Sequence, residues 1–329
     1  MNAKPRVFVT AWLPEQILQP LYQAAEVEVW PESQGPKLEK LIEKAQVMDG
    51  LLTMLVDPIN ASLINAAGPQ LKVISQMAVG YDNIDINAAS LRKIPVGHTP
   101  GVLTETCADL TFGLLLAAAR RIVEGDHDVR AGIWPKWGLF VLTGPEVYES
   151  TLGLVGFGRI GRAVARRAAG FGMRILYHDP KRDLEAEREL GAVPVDLDTL
   201  LAEADFVSVH TYLSAETRGM FNRDLFAKMK PEAIFINTSR GGVVDSQALI
   251  WALQEKKIAG AAIDVFDPEP IQTDSPLLGM RNVVITPHIA SASKQTRLRM
   301  AEISVTNLIA GIKGEKVPFC ANPQVYSGG

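Results

Sequence analysis

The stretch Gly156-Phe157-Gly158-Arg159-Ile160-Gly161 constrains this chain more than any other. It is a GxGxxG placed directly after the apolar run 151–155, and it opens a segment of helical composition. Alone such a motif is weak, because glycine-rich turns are common; between a strand and a helix it is the fingerprint of a dinucleotide site. Gly156 allows the tight turn, Gly158 lets backbone approach a pyrophosphate, and Gly161 lets helix and strand pack closely. The helix N-terminus then offers free N–H groups and a positive dipole end to phosphates.

Asp179 completes the pattern eighteen residues after Gly161, at the end of a candidate strand over 174–178. A carboxylate there accepts hydrogen bonds from the adenosine ribose hydroxyls and repels a 2′-phosphate, which points to NAD. The blander reading is a turn-forming Asp before Pro180. Lys181 and Arg182 follow at once and could accommodate a phosphate if Asp179 swings away, so NADP stays open.

Around the fingerprint, short β-rich runs alternate with helical stretches, as in a parallel sheet covered on both faces. In the first hundred residues the pattern predicts strands at 6–9, 27–30, 50–54, 73–75 and 94–97, with helices such as 36–45 and 62–67. A long helix follows at about 103–121, with Thr104 or a neighbour as its cap. The stretch 132–149, holding Trp134, Pro135, Trp137, Gly138, Gly144 and Pro145, reads as a loop that leaves the domain body. A second series has strands at 151–155, 174–178, 206–209, 234–237, 259–263 and 283–285. Helices are expected between them at 160–170, 184–190, 197–204, 223–228 and 246–255. Six strands with five connections match the doubly wound dinucleotide fold. A last helix, about 294–312, has no place in that unit and is expected to return to the first domain. The expected fold is α/β with two doubly wound parallel-sheet domains, in keeping with 329 residues being more than one core usually supports.

Composition narrows the partners. Hydrophobic residues make up 47% and charged residues 21%, the balance of a packed globular protein. The formal net charge is −4 and Lys and Arg are spread along the chain, so neither nucleic acid nor an anionic membrane is expected to bind. The apolar stretch from Leu110 to Ala119 is far too short to span a bilayer. The opening residues carry no apolar core with a small-residue cleavage site. Cys107 and Cys320 are too few for a disulfide framework, which fits a reducing compartment and a cytoplasmic location.

A dinucleotide fold defines a cofactor and not a reaction, so the chemistry must come from other residues. Three candidates follow late strands, where ligands bind in open α/β sheets. Arg240 lies in Asn237-Thr238-Ser239-Arg240-Gly241-Gly242, Glu269 in Asp264-Val265-Phe266-Asp267-Pro268-Glu269-Pro270, and His288 in Thr286-Pro287-His288. An arginine can grip a carboxylate bidentately and polarise the adjacent carbonyl. A histidine can protonate the carbonyl oxygen as hydride arrives at carbon. A glutamate beside it would favour imidazolium by charge and orient the ring. Singly, each reads more readily as a surface or structural residue; together, after successive strands of one cofactor fold, they indicate reduction of a small 2-keto acid to the 2-hydroxy acid by hydride transfer. His98, His127, His178 and His210 lack HxxxH or HxH spacing, so they are expected to be structural and no metal is expected.

These residues resemble the D-isomer-specific 2-hydroxyacid dehydrogenases, and within that family most resemble the glyoxylate/hydroxypyruvate reductases. The likeness covers nearly the whole chain, including Val79-Gly80-Tyr81-Asp82-Asn83-Ile84-Asp85 and Thr99-Pro100-Gly101. It implies that Arg240, Glu269 and His288 are catalytic. Substrate binding by Arg240 and His288, with the Val79 and Gly80 amides on the carboxylate, is also implied. Further implied cofactor contacts are Thr104, Arg159, Ile160, Thr238, Ser239, Asp264 and Ser291, with Asp264 near the nicotinamide amide. The domains become a flavodoxin-like substrate domain of 1–99 with 290–329, and a Rossmann domain of 100–289. An arm at about 101–149 resembles a dimer interface, so Trp134 and Trp137 are read as subunit contacts and the protein as a homodimer. Three departures stand out: Tyr212 where a proline is usual, Ala290 where a glycine is common, and a true carboxylate at Glu269, which disfavours formate as substrate. The rival readings are a short-form phosphoglycerate dehydrogenase and a dinucleotide-sensing corepressor; the latter would be expected to carry tails for partner proteins.

Overall fold

The computed structural model describes residues 3–32, 34–134 and 136–327. It divides into two units, one of residues up to Leu103 joined by those from Ser293 on, the other spanning Thr104–Ala292. These boundaries fall a few residues beyond 99/100 and 289/290.

In the first unit, β1 (Arg6–Val9), β2 (Glu26–Val29), β3 (Gly50–Thr53), β4 (Val73–Gln76) and β5 (Val96–Gly97) alternate with α1 (Glu15–Ala24), α2 (Leu38–Ala45), α3 (Ala61–Ala66) and α4 (Ile86–Leu91). All pairs are parallel, in the order β2-β1-β3-β4-β5, which is the flavodoxin-like arrangement. Every residue of β3 and β4 is buried, as expected for strands covered on both faces. Two helices carried no clear sequence signal. Pro20 removes one intrahelical bond from the exposed side of α1, and α4 is only six residues, begun by Asp85, whose side chain accepts from Ala88 N at 2.9 Å.

The second unit opens with α5 (Thr104–Ala119) and α6 (Ile122–Arg130). A helix over 103–121 was expected, and α5 matches it to within two residues with Thr104 its first helical residue; α6, which follows the left-handed Arg121 at φ 51°, was not expected. The sheet then runs through β6 (Thr151–Val155), β7 (Arg174–His178), β8 (Val193–Pro194), β9 (Phe206–Val209), β10 (Ile234–Asn237), β11 (Gly260–Ile263) and β12 (Val283–Ile285). Its helices are α7 (Arg159–Ala169), α8 (Leu184–Leu190), α9 (Leu197–Glu203), α10 (Arg223–Lys228) and α11 (Ser246–Gln254). Seven parallel strands are ordered β12-β11-β10-β9-β6-β7-β8, one more than the six expected. The extra strand, β8, is a two-residue edge piece containing Pro194, too short to show a period. The sheet reverses between β6 and β9, and apolar clusters cover both its faces.

The remaining helix, α12 (Lys294–Ile312), packs on β3 and β4 of the first unit. Ser75 Oγ donates to Ser304 O at 2.8 Å, and buried Asn307 donates from Nδ2 to His98 O at 3.0 Å. Gly311 permits the approach, because a Cβ there would overlap the Val73 side chain. In the arm, Trp134 and Trp137 are 71% and 87% exposed, and neither is part of a core; Pro135 lies outside the described residues.

Candidate active site

At the sheet reversal, Gly156 sits at φ 92° and donates its N–H to His178 O at 2.9 Å. A Cβ on Gly156 would lie 2.7 Å from the His210 carbonyl carbon, so the turn and the close strand approach both demand glycine. Gly161 is equally confined, against Gly156 O. Gly158 differs: nothing lies within 4 Å of where its Cβ would be. Open space at the N-cap of an eleven-residue helix, beginning with Arg159 and Ile160, is the cradle a dinucleotide pyrophosphate needs. The residues therefore fit the cofactor that the fingerprint implies.

Asp179 is half-buried at the end of β7 and does more than turn the chain. One oxygen accepts from Phe157 N at 2.8 Å, inside the glycine turn, and the other from Lys181 N at 2.9 Å. Thr104 begins α5, the helix packed on α7. Thr238 is buried, and its hydroxyl lies 2.8 Å from that of Thr111. Thr111 already donates to Cys107 O at 2.8 Å, so Thr238 is the donor to Thr111. Tyr212, at the proline position, is 78% exposed beyond β9.

The loops after β10, β11 and β12 bring Arg240, Glu269 and His288 to one edge of the sheet. Asn237, 1% exposed, accepts from Ser239 N at 3.0 Å and Ser239 Oγ at 2.8 Å, and donates to Arg240 O at 3.0 Å. That side chain folds the Arg240 loop. Gly241 then lets the loop lie against the Phe266 carbonyl, where any Cβ would overlap backbone. Phe266 N donates to Glu269 Oε1 at 2.9 Å, and Glu269 Oε2 lies 2.7 Å from His288 Nδ1. Burial pushes the Glu269 carboxyl up, but the hydrogen bonds from His288 and Phe266 and the charges of His288 and Arg240 outweigh it, and its pKa falls below the ordinary value.

Asp264 holds this geometry together. It is wholly buried; Oδ1 accepts from Thr286 Oγ1 at 2.6 Å and Ile289 N at 2.8 Å, and Oδ2 from Ala290 N at 2.8 Å. Its own carbonyl accepts from His288 N at 2.8 Å. His288 is thereby held at φ 54°, a conformation costing a non-glycine residue about 1–3 kcal/mol. The expected nicotinamide neighbour thus has both carboxylate oxygens occupied by the loop after β12. Ser291 closes the same loop and is partly exposed.

Val79 and Gly80 lie in the other unit, in the loop after β4. Gln76 shapes that loop, donating from Nε2 to Gly80 O at 2.9 Å and Asn83 Oδ1 at 2.6 Å. Among the described residues neither the Val79 nor the Gly80 amide has a backbone acceptor. The supporting residues Asn237, Thr286 and Gln76 were not singled out from the sequence; only Asn237, a turn-forming side chain ending a strand, carried a usable signal. His210 pairs with Ser208 Oγ at 2.9 Å, and burial pushes its pKa down to about 4, leaving it neutral. No cluster of metal-ligating side chains occurs among the described residues, and no helix there is long and apolar enough to cross a membrane.

Comparison with known proteins identifies the family. Residues 112–290 match the model of the D-isomer specific 2-hydroxyacid dehydrogenase NAD binding domain. The chain is 51% identical to a glyoxylate reductase of Korarchaeum cryptofilum, covering 98% of this chain and 97% of that protein. It is 49% identical to a glyoxylate reductase of Thermococcus litoralis, covering 98% of each. A solved NADPH-dependent glyoxylate/hydroxypyruvate reductase from Sinorhizobium meliloti, in complex with NADP and malonate, superposes with a TM-score of 0.84 at 32% identity over 98% of each chain. The chain belongs to the D-isomer-specific 2-hydroxyacid dehydrogenase family. It is an NAD(P)-dependent oxidoreductase, and its second unit carries the NAD-binding domain.

Replacing Asp264 by Asn turns one acceptor oxygen into an NH2 donor that faces other donors. We predict a loss of stability of about 1–3 kcal/mol, the usual cost of unmet buried donors, together with a fall in kcat/KM of at least about tenfold as His288 loses its support. Urea unfolding and steady-state kinetics measure the two; stability and activity matching the unmodified protein would remove Asp264 from this role.

Proposed function

We propose that this enzyme reduces glyoxylate, with hydroxypyruvate as a further substrate, and that Arg240, Glu269 and His288 carry the reaction. The single observation behind this reading is the 2.7 Å contact between Glu269 Oε2 and His288 Nδ1, beside the Arg240 loop. With Nδ1 committed to a carboxylate, Nε2 is the nitrogen left to give its proton to a keto oxygen. Glu269, kept ionised by its surroundings, favours the protonated ring that reduction requires. Arg240 would grip the substrate carboxylate with its planar fork and draw electron density from the keto carbon. Val79 and Gly80, whose amides have no backbone acceptor among the described residues, are assigned to substrate binding. The nicotinamide cofactor supplies the hydride when bound.

Cofactor contacts are assigned to Gly156, Gly158, Gly161, Arg159, Ile160, Asp179, Thr104, Thr238, Ser239, Asp264 and Ser291. Asp179 favours NADH, because a carboxylate facing a 2′-phosphate is a like-charge contact. The arm supports a homodimer: Trp134, Trp137, Leu139 and Phe140 are each about two-thirds exposed or more, and a patch of this kind marks a protein interface. No disulfide occurs among the described residues, which fits the cytoplasm.

NADH consumption with glyoxylate tests the activity. Arg240→Lys keeps the charge and loses the fork, so kcat should fall and KM rise, with kcat/KM down by on the order of 10²-fold or more. Near-normal kcat/KM would exclude Arg240 as the carboxylate clamp. For the arm, replacing Trp137 and Phe140 together by Ser should convert the dimer to monomer in sedimentation velocity; an unchanged dimer places the interface elsewhere.

A further inference from the structure

Arg182 is one of two cations directly after Asp179, yet its guanidinium is already engaged. Nε and Nη2 donate to the two oxygens of Glu187 at 3.1 and 2.5 Å, a bidentate pair. Glu187 lies on α8, and its side chain is 15% exposed against 63% for Arg182, so the acid is the fixed partner and the cation is drawn to it. Tyr177 fixes that acid further, donating its hydroxyl to Glu187 Oε1 at 2.6 Å while accepting from Asp183 N at 3.1 Å. The Tyr177 ring stacks on Phe157, with centroids 4.1 Å apart and planes at 18°. Phe157 is the second residue of the glycine turn, and its N–H holds Asp179. The loop 179–183 is therefore held from the glycine turn on one side and from α8 on the other.

We propose that Glu187 is a positioning residue that sets cofactor choice by keeping the Arg182 fork occupied. This rests on the reading that Asp179 favours NADH, and it adds a second barrier to NADPH. A 2′-phosphate at the adenosine ribose would need a cation, and of the two that follow Asp179 the one with a planar fork is held by a carboxylate. Entry of the phosphate would break the Arg182–Glu187 pair and leave two acids, Asp179 and Glu187, close to a further anion. The pair is also the main reason the Glu187 carboxyl lies below its ordinary pKa, with the Tyr177 hydroxyl second, so Glu187 stays ionised at neutral pH. Removing its charge while keeping its shape releases Arg182.

The test uses adenosine 2′,5′-bisphosphate and 5′-ADP as binding probes on the full enzyme, measured by calorimetry without turnover. Glu187→Gln should tighten the bisphosphate about tenfold, roughly the worth of one charge-assisted contact, and leave 5′-ADP within about twofold, which also reports an intact fold. Adding Arg182→Ala, at an exposed side chain, should abolish the gain. If the unmodified enzyme discriminates and Glu187→Gln leaves the bisphosphate unchanged, or if the gain survives without Arg182, the role of Glu187 is overturned while the NADH reading stands. If the unmodified enzyme already binds the bisphosphate as tightly as 5′-ADP, both fall.

Discussion

The buried carboxylate of Asp264 is the constraint on which the site depends. A charge without water is costly unless hydrogen bonds replace its hydration. Here three donors from the loop after β12 do so, and the Asp264 carbonyl takes the His288 amide as a fourth contact. The loop can meet that demand only by folding back over the end of β11, which sets His288 in its left-handed conformation. Because Glu269 follows from the same strand through the loop at Phe266, one buried acid fixes the histidine and brings its partner within 2.7 Å. The Arg240 loop joins through close backbone approach, since Gly241 lets the two loops touch.

The electrostatics then divide labour between acids. Asp264 has both oxygens occupied by the loop after β12, and Asp179 has one taken by the glycine turn and one by its own loop, so both serve to tie loops together. Glu269 keeps one oxygen for a backbone N–H and gives the other to an imidazole, so its charge is spent on a group that can carry a proton. Glu187 spends its charge on Arg182.

Strongly periodic elements could be read from the sequence because buried parallel strands must be apolar along their length. The bounds of β6, β7, β9, β10, β12 and α12 agree with the pattern, and the parallel α/β architecture follows from their alternation. What escaped was short or locally interrupted: α4, the two-residue β8, α1 with its internal proline, and α6, set off by the positive φ of Arg121. Site residues were visible where chemistry demands a type, as with the glycine turn, Arg240, Glu269 and His288. Their supports were not. Thr286 acts on Asp264, distant in sequence, while Asn237 and Gln76 bond within the loops that follow their own strands, and no spacing rule announces such contacts.

The central claim is that the charge of Glu269 keeps a proton on His288 for delivery to the substrate. The pH profile of glyoxylate reduction by Glu269→Gln, set beside the unmodified enzyme, tests it most directly. Reduction should hold at acid to neutral pH and decline as alkali strips the proton from the coupled pair. Removing the negative charge makes the imidazolium easier to deprotonate, so the declining limb should move to lower pH in the variant. Two superimposed profiles would contradict the account and leave Glu269 as a structural residue.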